Sequence, residues 1–245
     1  MRTKRNPAGL AAFLAIFLCI LTPACLAAVD PNLTRPADPN AFNIPGFRPP
    51  ADEGKARLWA LGCSALLIEW NGDGHDTLNT GPLTPTNIRG HRESLKSWWN
   101  TDSRRDLLRN LAWLETGGHR SDFEADGRRT AFSLAEALKA VVNADRQNEL
   151  KVASEYYHKL GDKSLWGWDI SRYICLCRWG YTVGYLREDE AWARIMPAAR
   201  LLQKRFTSWN ELAENYLIGR RYWSEKETRE DEAGFKEAID RLTES

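Results

Sequence analysis

The sequence predicts an all-α protein, an irregular multi-helix bundle around a Trp-rich three-helix core. Three observations carry this expectation. Apolar residues between Leu165 and Trp223 recur at three- and four-residue intervals, the spacing of one helix face. Capping residues and glycines bound the same stretches. No segment shows the sustained two-residue alternation of a half-buried strand, and no internal repeat or low-complexity block interrupts the chain.

Residues 1–28 combine a basic start (Arg2, Lys4, Arg5), an apolar run from about Leu10 to Leu21 and small residues before Ala28, the pattern of a secretory signal. Cleavage is expected after Ala27 or Ala28. A retained membrane anchor competes with this reading, but the run is shorter than the ~20 residues needed to span a bilayer. A lipid-bearing Cys25 is a third reading, opposed by Thr22 three residues earlier and by Pro23. The mature chain is therefore expected to be exported to the periplasm or beyond, with no transmembrane span. Losing the three basic residues takes the formal net charge from +1 to −2. Nucleic acid, which wants a clustered basic field, is not an expected partner.

Residues 29–53 should form an extended tether, because prolines at 31, 36, 39, 45, 49 and 50 cannot propagate a helix. Residues 54–245 then suit a single helical domain. Leu58, Trp59, Leu61, Ala65, Leu66 and Ile68 predict one helix over Gly54 to Trp70, ended by the Asn71-Gly72-Asp73-Gly74 turn. Gly81, Pro82 and Pro85 mark His75 to Gly90 as loop. A helix over about Asp102 to Glu115, with Leu107, Leu108, Leu111 and Leu114 inward, should stop at Gly117-Gly118. Ser121 or Asp122 opens a short helix, Ser133 one over Leu134 to Ala144, and Gln147 to Leu160 reads as another, stopped by Gly161.

The core follows. Six of the eleven tryptophans fall between Leu165 and Trp223, so the largest apolar side chains gather there. Its first helix should run from Trp168 to Val183, capped near its start by Asp169, ended by Gly184 and burying a face of Ile170, Ile174, Cys177 and Tyr181. The second starts after Arg187 with Glu188, Asp189 and Glu190 on the positive end of the helix dipole, and buries Trp192, Ile195, Ala199, Leu202 and Phe206. Ser208 and Glu211 form a capping box for the third, whose stripe is Trp209, Leu212, Tyr216, Gly219 and Trp223. Asp231 to Leu242 should form a charged, weakly amphipathic surface helix.

The order Trp168-Asp169-x-x-Arg172, Arg178-Trp179-Gly180-Tyr181, Glu190-Ala191-Trp192, Phe206-x-Ser208-Trp209-x-Glu211 and Tyr216-x-x-Gly219-Arg220-x-x-Trp223 resembles the YbeU/YbeR-like bacterial family, whose shared domain is catalogued as a domain of unknown function, number 1266. The resemblance covers about Leu107 to Trp223 and is sharpest from Trp168. It implies a mostly helical domain, with no established activity, substrate or cofactor.

Chemistry-bearing motifs are few. Cys63, Cys175 and Cys177 lie outside the signal, an odd count that permits at most one disulfide and one free thiol; Cys175-x-Cys177 on a helix points its thiols about 200° apart, so buried, non-ligating residues are the first expectation. His75, His91, His119 and His158 lack any metal spacing, and His119 reads as a loop histidine making a local hydrogen bond. Asn71 to Asp76 superficially resembles a calcium loop but lacks its sixth-position glycine and twelfth-position glutamate, so no metal or cofactor is expected. Asp169 and Arg172 stand one helical turn apart beside the apolar stripe, and Arg178, Glu211 and Arg220 are further candidates for the same network. An interhelical salt-bridge lattice is one reading. A pocket for a small anionic or sugar-like ligand is the other, lined by Trp168, Asp169, Arg172, Arg178, Trp179, Glu211, Arg220 and Trp223. No catalytic triad, phosphate loop or nucleophile elbow is present. An envelope protein that is structural or binds another envelope protein is the first functional expectation, a small-ligand binder the second, and a hydrolase or transferase of unfamiliar type the third.

Overall fold

The computed structural model describes residues 53–243. The expected signal and nearly all of the Pro-rich tether lie outside these residues. Among the described residues every regular element is helical: α1 (Glu53–Gly62), α2 (Ala65–Trp70), α3 (Pro85–Trp99), α4 (Arg104–Thr116), α5 (Gly118–Phe132), α6 (Leu134–Lys139), α7 (Ala144–Leu160), a 3-10 turn (Gly161–Lys163), α8 (Trp166–Thr182), α9 (Glu188–Arg205), α10 (Trp209–Trp223) and α11 (Glu225–Thr243).

Most helix starts follow the capping signals. Ser103, Ser133, Asn143 and Ser208 each accept a backbone N–H from the first turn of α4, α6, α7 and α10. Glu211 completes the α10 start by accepting the Thr207 backbone N–H, one residue earlier than a standard capping box.

Four expectations are corrected. Gly54 to Trp70 is two helices, broken at Cys63-Ser64, where the Ser64 hydroxyl donates to the Leu61 carbonyl at 3.0 Å. Pro85 opens α3 rather than extending a loop: Thr84 caps the helix, and a proline at the first helical position has no hydrogen bond to lose. α5 begins at Gly118, earlier than Ser121, and is long. α11 begins at Glu225 and is not merely superficial, since Phe235 and Ala238 are buried and Phe235 stacks on Trp70 at 4.4 Å.

α8 is the axis. All its residues except Trp166 and Tyr181 are buried, so it is covered on every side rather than along one stripe. α9 and α10 each pack extensively on α8 but barely on one another, and α4 packs on a further side; the expected three-helix core is therefore one central helix with flanking neighbours. One apolar cluster joins α8 to α4, α9 and α1 through residues such as Leu107, Leu111, Ile174, Ile195 and Leu202. A second joins Trp168 to Phe123, Val152, Tyr216, Tyr222 and Phe235. Gly219 sets the closest approach of α10, because a β-carbon there would overlap Trp168.

Candidate functional site

Asp169 is fully buried near the start of α8, and its carboxylate works on a different helix from its own. Oδ1 accepts the His119 backbone N–H at 3.1 Å and Arg172 Nη2 at 2.8 Å. Oδ2 accepts the Arg120 backbone N–H at 3.1 Å and Arg120 Nη1 at 3.0 Å. The first N–H groups of a helix have no internal partner, and Gly117 brings no side chain to serve them, so Asp169 is the cap of α5. Its charge also suits the positive end of the helix dipole. Gly118 makes the approach possible: its φ is +57°, and a β-carbon would overlap the carboxylate.

Arg120 closes the other side of the corner. Nη1 also donates to the Leu114 carbonyl at 2.7 Å and Nη2 to that of Glu115 at 2.6 Å, serving the last turn of α4. The Asp169–Arg120 pair thus caps two helices across the Gly117-Gly118 bend. Burial alone would raise the Asp169 pKa, but the contact with His119 and the charges of Arg172 and Arg120 hold it below the usual carboxylate range.

Arg172 ties this corner to the tryptophans. Its Nε donates to the Trp168 carbonyl at 3.2 Å, and Nη2 also reaches His119 Nδ1 at 2.7 Å. A guanidinium only donates, so Nδ1 must accept and the neutral imidazole carries its proton on Nε2. Burial and then the Arg172 charge push the His119 pKa down, in agreement with that assignment. The guanidinium carbon of Arg172 lies 3.9 Å from the Trp168 ring, 5.3 Å from Trp99 and 6.0 Å from Trp113. Arg120 and Arg205 lie 3.9 and 4.5 Å from the ring of Trp166. These are cation–π distances.

The residues expected to share one network are divided among several. Trp168, Asp169 and Arg172 stand together. Arg178, also fully buried, sits near the other end of α8 and donates through Nη2 to the Gly74 and Thr77 carbonyls at 2.6 and 2.7 Å; Trp179 donates to Asp73 there. Glu211 pairs with Lys163. Arg220 pairs with Asp231 at 2.5 Å, not with Asp169. Trp223 approaches the first group only by its ring, 6.2 Å from that of Trp168. Two roles are also corrected: Asp169 does not cap its own helix, and His119 is helical and bonds across to Arg172 rather than locally.

Sequence reasoning missed His119, Arg120, Trp99, Trp113 and Trp166 as members. The legible signal was His119-Arg120 directly after a glycine pair, where a helix must begin without a cap of its own. Elsewhere, Thr80, His91 and Asp73 look like a hydrolase triad but are not arranged as one: Thr80 Oγ1 at 3.1 Å and Asp73 Oδ1 at 3.7 Å both address His91 Nε2, whereas a triad needs one partner on each ring nitrogen. In the Asn71 to Asp76 turn the Gly74 carbonyl is taken by Arg178, and no group of three metal-ligating side chains occurs among the described residues. Cys63, Cys175 and Cys177 are free and buried, with the Cys63 thiol pushed up to about 12 by burial. No described helix is long and apolar enough to cross a membrane. A shallow groove of about 420 Å³ lies away from Asp169, among Arg57, Leu58, Leu78, Tyr181, Glu188 and Trp192.

Comparison with known proteins gives a family without a mechanism. The chain is similar to the uncharacterized protein YbeR of Escherichia coli (strain K12), 27% identical over 137 residues, which is 54% of this chain and 58% of that protein. It therefore spans less than two thirds of that relative's length. No solved structure matches. A family model described as "Protein of unknown function (DUF1266)" matches residues 94–245, beyond the expected Leu107 to Trp223 at both ends and including the whole Asp169 corner. The chain belongs to the DUF1266 family.

Proposed function

We propose that this is an exported bacterial protein that acts by binding another protein of the cell envelope, with the Asp169 corner serving as its internal brace. The corner supports the reading by being closed: all four hydrogen bonds to the Asp169 carboxylate come from the protein itself, and the 420 Å³ groove lies elsewhere. A substrate would have to break the brace to reach that carboxylate. Large apolar side chains meanwhile face solvent, among them Trp98 (61% exposed), Trp113 (37%) and Phe132 (92%). Exposed aromatic residues are common anchors in protein interfaces. The export part of the reading rests on the basic, apolar and small-residue order of residues 1–28.

Two measurements test it. Intact mass of protein recovered from the envelope should place the mature start near Ala28 or Val29; a cytosolic product retaining Met1 to Leu26 would refute export. A photo-crosslinking residue at Trp98, Trp113 or Phe132 should give a discrete protein adduct in cells at one of these positions. Adducts at none would remove the partner reading.

A small-ligand role rests on one specific observation, that Trp192, which lines the groove, has its indole Nε1 buried without a partner. This is a weaker basis than the exposed aromatics, because the groove is shallow and open.

A further inference from the structure

We propose that the outer edge of the Asp169 corner is a docking point for a carboxylate side chain of the protein partner, held by Arg172 and His119 between the indoles of Trp99 and Trp113. This rests on the partner-binding reading above and assigns that partner a chemistry.

The donors come from an accounting of hydrogen bonds. Arg172 uses Nε on the Trp168 carbonyl and Nη2 on Asp169 and His119, while Nη1 has no hydrogen-bond partner among the described residues. His119 receives Arg172 at Nδ1, which leaves Nε2 as an N–H donor, also with no partner there. Neither nitrogen is sealed from solvent. Arg172 as a whole is only 6% exposed, so an oxygen that reaches Nη1 meets a guanidinium already oriented by three hydrogen bonds. Such a donor loses little freedom when it binds.

The walls come from the tryptophans. His119 meets Trp113 edge-on with centroids 5.1 Å apart, and the Arg172 guanidinium lies 5.3 Å from the Trp99 ring and 6.0 Å from that of Trp113. Trp113 is exposed and Trp99 half-buried, so both indoles reach solvent beside this guanidinium and supply an aromatic rim. Charge selects the ligand. Asp169 is shared between Arg120 and Arg172, leaving one guanidinium charge of the three groups without a matching carboxylate. Asp122, one turn along α5 from His119, and Glu124, which faces Arg120, are opposing acids, but neither comes within ion-pair distance of Arg172 or Arg120. A carboxylate accepting from a guanidinium and an imidazole makes the stronger, charge-assisted kind of hydrogen bond, which a neutral amide cannot equal. An aspartate or glutamate flanked by an apolar residue fits both the donors and the rim.

Protein labelled with 5-fluorotryptophan is titrated with the N-acetylated, C-amidated tripeptide Leu-Glu-Leu, with Leu-Gln-Leu, and with free glutarate. Trp99 and Trp113 resonances should shift with the glutamate peptide, with the glutamine peptide binding at least tenfold more weakly. Trp113→Ala and His119→Phe should each weaken binding about fivefold or more; Trp113 is exposed, so its variant keeps the test open if His119→Phe fails to fold. Equal binding of the two peptides overturns the proposal, as does absence of any shift. Glutarate binding as tightly as the peptide overturns it in favour of a small-acid site. A crosslinked adduct at Phe132 without peptide binding would leave the partner reading in place and remove this site alone.

Discussion

The two ends of α8 each bury an arginine, and they satisfy it in different ways. Near the start, Arg172 shares the Asp169 carboxylate with Arg120, and the three side chains bind two helix ends and four tryptophan rings into one corner. Near the finish, Arg178 has no carboxylate within ion-pair distance among the described residues; backbone carbonyls of Gly74 and Thr77 surround it instead. The first arrangement lies wholly within the family match, whereas the second ties the matched α8 to a loop that precedes the match. The contrast shows that a buried guanidinium does not by itself mark a ligand site. An ion pair couples elements so that losing either member strands the other. Carbonyl dipoles on a surface loop can turn to water instead.

This difference is open to measurement. Asp169→Ala should cost the most, ~3 to 5 kcal/mol in urea unfolding, because it strands two arginines and two helix N–H groups. A loss below about 1 kcal/mol would mean the corner relaxes and the charges are not a brace. Arg178→Met should cost less, ~1 to 3 kcal/mol, the desolvation of carbonyls left unpaired. If it cost as much as Asp169→Ala, the distinction between the two ends would fail.

Acid should act on the first end through His119. Its folded pKa lies below the ordinary value of 6.5, so the unfolded chain takes up the proton first as pH falls. Stability should therefore be complete above pH ~6.5 and decline below it, until the folded histidine is protonated as well. His119→Gln, which retains an acceptor for Arg172, should decline less steeply between pH 6.5 and 5. His91, also lowered by burial, contributes equally to both proteins, so the difference between the two curves isolates His119. Matching curves would remove the histidine from the brace.

Smaller effects sharpen the boundaries of the corner. Since Arg220 pairs with Asp231, Asp169→Asn and Arg220→Ala should add to within ~0.5 kcal/mol in the double mutant. Strong coupling in thermal melts would bring Arg220 back into the Asp169 group. Trp209→Ala should cost least, under about 1 kcal/mol, because this side chain is 47% exposed, although it opens the stripe of α10 and its ring centroid lies 6.3 Å from that of Trp59. A loss of ~3 kcal/mol would restore it to the core.

Local determinants of the helices were legible in the chain. Ser208 and Glu211 mark the start of α10, the acidic run Glu188 to Glu190 that of α9, and Ser133 that of α6, because caps and dipole partners act within one turn and leave their signal in neighbouring residues. The adjacency of Asp169 and Arg172 was legible for the same reason, being one turn of one helix. Pro85 misled because the same residue breaks a helix interior and favours its first position. What only the tertiary structure decided was where long-range partners meet. α5 starts at Gly118 because a carboxylate 51 residues later in the chain supplies its cap, and no local pattern encodes that. The stripe of α8 likewise understated its burial, since period alone reports one buried face and cannot show that α4, α9 and α10 close over the others. Once that enclosure exists, the low dielectric makes every unpaired charge expensive, and it is this that separates Asp169, Arg178 and Arg220 into different partnerships.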